Sequence, residues 1–258
     1  MSDQKKKIRT EPLLDGQGLH IVLDDPKGNV LDRQMMGELN ALLDGLESRP
    51  ELKLLCFSGA GDHFSFGASV ADHVGDRAGP MLKSFHGIFQ RLIKLSIPTA
   101  AAVRGRCLGG GMEVACFCNR VVAAPGAFLG QPEIQLGVLA PIASLLLPAR
   151  VGQAHADDLL LTGRTIKAEE AKEMKLVDEV ADDPRVAIEA WAKRELAPKS
   201  ASSLRWASRA SRWQLNQTVL AGITALEQLY LRDLMATHDA NEGLASFLEK
   251  RQPQWKNA

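Results

Sequence analysis

Gly105-Arg106-Cys107-Leu108-Gly109-Gly110-Gly111-Met112-Glu113 is the stretch on which the fold of this chain turns. It follows a predicted strand, Ile97 to Val103, and runs into a predicted helix. Three consecutive glycines let a ligand come close to the main chain. A helix start leaves unpaired N–H groups and a positive dipole end, where a developing negative oxygen can be held. Read alone, the same residues also suit a tight turn followed by an acid in a first helical turn. The glycines fall at 105, 109, 110 and 111 and do not form G-x-G-x-x-G, so a dinucleotide fingerprint is excluded.

Two further segments carry chemistry. In Gly130-Gln131-Pro132-Glu133-Ile134, Pro132 suits the first turn of a helix and Glu133 follows it. Upstream, Phe64-Ser65-Phe66-Gly67-Ala68-Ser69 follows a strand and offers the Ala68 N–H beside a glycine that permits an unusual turn. The plainer alternatives are a helix-start acid for the first segment, and for the second a loop whose Ser69 caps a helix.

Around these segments the hydrophobic pattern predicts strands over His20 to Leu23, Leu52 to Phe57, Ile97 to Val103, Arg120 to Ala124 and Leu176 to Val180, with helices between them. That interleaving predicts an α/β sheet core. Gly79-Pro80 opens a helix with Phe85, Ile88, Phe89, Leu92 and Ile93 on its buried face, stopped before Pro98. From about Asp183 the pattern is helical, with Ala221, Leu226, Leu229, Leu234, Leu244 and Leu248 as apolar stripes. Residues 1–182 therefore read as an α/β core and 183–258 as a helical subdomain.

Lys plus Arg and Asp plus Glu both total 31, which removes the basic field that nucleic-acid binding needs. The longest apolar runs fall short of the ~18 residues of a membrane span. Lys5-Lys6-Lys7 precedes polar residues and reads as a solvated start, not a signal peptide. A cytoplasmic protein is expected. Cys56, Cys107, Cys116 and Cys118 read as reduced core residues. Cys116-x-Cys118 lacks a companion pair, and His63 and His73 are wrongly spaced as ligands, so no metal is expected.

Taken together, Phe64–Ser69, Gly105–Glu113 and Gly130–Ile134 resemble the enoyl-CoA hydratase/isomerase superfamily over nearly the whole chain. The resemblance implies a crotonase-like (ClpP/crotonase) spiral of ββα units with a C-terminal helical subdomain. It implies that the N–H groups of Ala68 and Gly110 form an oxyanion hole and that Glu113 and Glu133 are the two acids of a hydratase. Glu133 is then assigned to exchange a proton with substrate carbon and Glu113 to activate water, a division that the sequence leaves open.

The segment Glu242 to Arg251 resembles the family's terminal helix, implying that Phe247 and Lys250 contact coenzyme A bound to a neighbouring subunit of a homo-oligomer, a trimer or hexamer. Lys27, in Asp25-Pro26-Lys27-Gly28, resembles another coenzyme A contact. Coenzyme A is part of the acyl-CoA substrate, and no separate cofactor is implied.

Within the superfamily, His63 to Val70, Gly130 to Pro148 and Ala236 to Arg251 are most similar to the cyclohexa-1,5-diene-1-carbonyl-CoA hydratases of anaerobic benzoyl-CoA breakdown. Ser69 stands where an Asp is usual, and Ala140 to Ser144 where a glycine-rich stretch is usual. The implied reaction adds water to the cyclic diene to give 6-hydroxycyclohex-1-ene-1-carbonyl-CoA. Phe66, Val70, Leu139, Pro141 and Ile142 are the expected substrate wall. The alternatives are a hydratase or isomerase of linear acyl-CoA and a noncatalytic CoA- or RNA-binding relative, which the two acids and the charge balance disfavour.

Overall fold

The computed structural model describes residues 5–258, so the first four residues of the 1–182 segment lie outside it. The strands are β1 (Ile8–Leu13), β2 (Gly18–Leu23), β3 (Leu54–Gly59), β4 (Thr99–Val103), β5 (Arg106–Leu108), β6 (Arg120–Ala123), β7 (Phe128–Gly130), β8 (Thr165–Lys167) and β9 (Glu179–Val180). The α-helices are α1 (Arg33–Gly45), α2 (Ala78–Leu95), α3 (Gly110–Phe117), α4 (Pro141–Val151), α5 (Gln153–Thr162), α6 (Ala168–Glu173), α7 (Pro184–Glu195), α8 (Ala201–Ser211), α9 (Trp213–Gln228) and α10 (His238–Leu248). This is the α/β architecture expected, with helices from Pro184 onward.

Six strands form the main sheet in the order β1-β2-β3-β4-β6-β9, parallel except for the antiparallel pair β1 and β2. Both faces are covered, and the strands alternate accordingly. Leu55, Phe57, Ala101, Val103, Val121 and Ala123 face the larger core. Leu54, Cys56, Ala100, Ala102 and Val122 face a smaller one with Ile188, Ala192 and Leu196. Those last three belong to α7 and the residue after it, so α7 serves the sheet although it falls in the expected helical subdomain.

Several elements differ from their sequence reading. β1 escapes the hydrophobic pattern because Ile8-Arg9-Thr10-Glu11-Pro12-Leu13 is a charged edge strand, with Arg9 paired to Asp24 at 2.7 Å. The strand expected over Leu176 to Val180 shrinks to two residues. Lys175 turns with φ 67°, and the Leu176 and Val177 N–H groups both donate to Ala171 O, so that stretch closes α6 instead. Lys7 is not a solvated start: its ammonium lies 3.0 Å from Asp25 and 2.5 Å from Asp32.

The four cysteines are buried, and burial pushes the Cys56, Cys116 and Cys118 thiols up to about 12. They behave as apolar core residues.

The small sheet positions the site. β5 and β7 pair in parallel, Leu108 opposite Gly130, with β8 antiparallel on the far side of β7. β5 leads into α3, and β7 leads into the 3-10 turn Pro132–Leu136. Both acid-bearing segments therefore leave one end of one sheet.

Candidate active site

A third segment joins these two. Ser65 forms a parallel bridge with Cys107, its N–H donating to Arg106 O (3.1 Å) and its carbonyl accepting from Leu108 N (2.9 Å). Gly67 O accepts from Leu31 N at 2.9 Å, and the Ser65 hydroxyl donates to Asn29 O at 2.7 Å while accepting from Gly67 N at 3.0 Å. These bonds fix the loop and leave the Ala68 N–H without a partner among the described residues. Gly110, at the first position of α3, likewise keeps its N–H free.

The glycines bring these two donors together. A methyl carbon built on Gly67, whose φ is +94°, falls 2.9 Å from Leu108 O and 3.2 Å from Gly110 N. One built on Gly110 falls 3.3 Å from Ala68 N. Gly109 has φ +49°, and a methyl carbon there meets Glu133 Oε1 at 2.6 Å. Side chains at these positions would separate the two N–H groups or displace the acid. Two adjacent unpaired N–H groups make the geometry that stabilises an enolate oxygen.

Glu113 is buried in the first turn of α3, and its Oε1 accepts from Ala143 N at 2.7 Å. Ala143 is the third residue of α4, which opens on Pro141. Proline brings no N–H, so the first donors of that helix are those of Ile142 and Ala143, and both bear on Glu113. Burial nevertheless dominates and pushes Glu113 up to about 7. Glu133 is half-buried beside it. Burial and then the Glu113 charge push it up to about 8. Gln131 is buried and, with its amide nitrogen turned toward Glu133, donates to Oε1 and Oε2 at 3.2 and 3.0 Å.

Both acids, Ala68 and Gly110 border one cavity of about 640 Å³. Phe66, Val70, Leu139 and Pro141 line it. Ile142 does not: its side chain is fully buried in the core, and only its N–H serves the site. Ser69 borders the cavity, but its side chain caps nothing. It precedes the 3-10 turn Val70–His73, and its carbonyl accepts from His73 Nδ1 at 2.9 Å.

Phe247 borders the cavity of its own chain. Lys27 and Lys250 are exposed and do not line it. Lys27 is linked to it through its neighbour Gly28, whose carbonyl accepts from Phe66 N at 2.9 Å. The cation at the rim is Arg251, bound to Glu242 at 2.5 and 2.8 Å. Arg251, His73, Gln131 and Tyr230 were given no site role on sequence grounds. Gln131 had the strongest signal, sitting between a strand and Pro132-Glu133.

The model of the enoyl-CoA hydratase/isomerase family matches residues 17–258. A cyclohexa-1,5-dienecarbonyl-CoA hydratase of Thauera aromatica is 44% identical over 257 residues, covering 100% of both chains. A probable enoyl-CoA hydratase of Mycobacterium bovis is 35% identical over 240 residues, 91% of this chain and 93% of that one. Among solved structures, an enoyl-CoA hydratase/isomerase from Pseudoalteromonas atlantica superposes with a TM-score of 0.82 at 26% identity, covering 97% of this chain and 100% of the other. An enoyl-CoA hydratase from Mycobacterium avium gives a TM-score of 0.85 at 23% identity, over 98% of this chain and 100% of that one, a likeness of fold alone.

Proposed function

From the premise that the chain belongs to the enoyl-CoA hydratase/isomerase family, we propose that it hydrates cyclohexa-1,5-diene-1-carbonyl-CoA to 6-hydroxycyclohex-1-ene-1-carbonyl-CoA. The observation that carries this reading is two carboxyl groups, both shifted upward by burial, sharing one apolar cavity with two free N–H groups. The coarser statement, that the chain is an enoyl-CoA hydratase and so a hydro-lyase, stands on the relatives. The cyclic substrate is drawn from the Thauera aromatica enzyme's name and from Ala140 to Ser144, where Pro141 fixes φ at the wall.

In this mechanism the thioester oxygen accepts from Ala68 N–H and Gly110 N–H, which stabilise the enolate. A water held between the acids adds its oxygen to the ring carbon β to the thioester, and Glu113 takes the water's proton. Glu133 gives its proton to the ring carbon at the far end of the diene, and the remaining double bond moves between the two attacked carbons. Charge balances: Glu113 ends protonated, Glu133 ends ionised, and exchange with water restores both. Two carboxyls this close share their titration, so one charge and one proton is the favoured starting state.

Coenzyme A enters only as part of the substrate. In the same reading the protein works in the cytoplasm; no helix among the described residues is long and apolar enough to cross a membrane. It assembles as a trimer or hexamer, which light scattering reads out. Exposed Trp206, Trp213 and Leu220 on α8 and α9 supply apolar surface for contact between copies.

The test is hydration of the cyclic dienoyl-CoA in deuterium oxide, with the product examined by mass and NMR. Deuterium on the ring carbon opposite the new carbinol is expected. Deuterium at the α-carbon, or hydration of linear enoyl-CoA alone, returns the protein to the reaction named for the Mycobacterium bovis relative.

A further inference from the structure

Tyr230 is the only tyrosine in the chain and one of its largest fully buried side chains. It continues the buried stripe Asn216, Val219 and Ile223 of α9 into the π-helical turn Leu229–Asp233. Turns of this type often occur at functional sites. Its ring packs near His73, with centroids 6.3 Å apart. Among the described residues its hydroxyl has no hydrogen-bond partner, and of the buried unpartnered side-chain atoms there it alone belongs to a residue lining the cavity. The cavity that Tyr230 lines is the one that holds Glu113 and Glu133.

A buried donor left unpaired is destabilising, and a catalytic role is one of the reasons such a group is retained. The thioester oxygen is not its partner, because Ala68 and Gly110 already face it in the proposed mechanism. The other oxygen of the reaction is the one added between the acids. We propose that the Tyr230 hydroxyl donates a hydrogen bond to the new carbinol oxygen of the β-hydroxyacyl-CoA, and to the water that becomes it. This rests on the hydratase reading and holds for either ring or chain. Nothing covalent passes through the phenol, which keeps its proton; burial and Glu133 both raise its pKa, so it serves as a donor and not as an acid.

The experiment compares wild type with Tyr230→Phe, which keeps the ring and removes only the hydroxyl. Three quantities are read: kcat/KM for hydration, Kd for the hydroxylated product against its deoxy analogue cyclohex-1-ene-1-carbonyl-CoA, and Tm. A lost neutral hydrogen bond corresponds to about a 10-fold fall in kcat/KM and in product affinity. Affinity for the deoxy analogue should stay within about twofold, and Tm should hold or rise because an unpaired buried donor is gone.

Unchanged turnover and product affinity, or an equal loss for both ligands with a lowered Tm, overturns the inference. Should the variant not fold, wild type labelled with [ζ-13C]tyrosine gives a single Tyr230 resonance. That resonance should move with the hydroxylated product and stay with the deoxy analogue; the same response to both overturns the inference. Absence of any hydration by wild type overturns the hydratase reading itself, and this inference with it.

Discussion

Glu113 and Glu133 sit where ionising both is costly, since burial disfavours each charge and the first charge disfavours the second. Activity should therefore be bell-shaped in pH. Below the lower step of the pair no base remains, above the upper step no acid remains, and the two steps belong to the pair in the region of about 7 to about 8. Glu113→Gln and Glu133→Gln should each lower kcat at least ~100-fold while leaving thioester binding intact.

Stability should move the other way. Folded carboxyls with raised pKa hold protons that the unfolded chain has lost, so wild type loses stability as pH rises from about 4.5 through about 8. The Glu133→Gln variant, neutral throughout, should exceed wild type in Tm at pH 8, the gap closing toward pH 5. Near-normal turnover in both variants, or a wild type that gains stability over that range, contradicts the assignment. Beside a glycine segment and a proline, each of these acids reads alone as a helix-start residue, and only the family resemblance of the three segments together marks the pair as acids of a hydratase. Tyr230 was not legible, because one aromatic residue on a helix looks like packing, and Ile142 was misread because a residue near a wall was taken to face it.

At the scale of elements, α10 is held onto the Glu133 turn by close backbone approach. A methyl carbon on Gly243 would fall 2.1 Å from Leu136 O, and one on Gly137 would fall 2.9 Å from Asp239 O. In an isolated helix Ala is favoured over Gly by about 1 kcal/mol. Here Gly243→Ala must push α10 off the turn, and overpacking of this kind costs about 1–3 kcal/mol. We expect a lower Tm and at least a ~10-fold lower kcat/KM, because Leu244 and Phe247 of the same helix line the cavity. A variant with higher Tm and full activity contradicts this docking.

The parallel strands were legible in outline as short apolar runs. β5, β7 and β8 have three residues each and carry no period to detect, yet they align the two acid-bearing segments. The role of α7 was also hidden, because helical periodicity shows that a face is apolar but not which core receives it.

The molecule as a whole offers its substrate a largely apolar cavity of about 640 Å³ that both acids border. That volume lies within the range of small-molecule sites. Pro141 at the start of α4 serves two ends at once, shaping the wall and leaving the following N–H groups for Glu113. A rigid wall suits a planar ring, whereas a flexible chain must be ordered against it. Apolar pockets discriminate weakly, by about 1–3 kcal/mol per methylene, so a linear substrate should be slow but not refused. The most direct test is kcat/KM of the purified protein for cyclohexa-1,5-diene-1-carbonyl-CoA and for crotonyl-CoA under one set of conditions. A ratio of at least ~10 in favour of the ring, about 1.4 kcal/mol of transition-state preference, is the expected result. An equal or reversed ratio would contradict a site built for the cyclic diene.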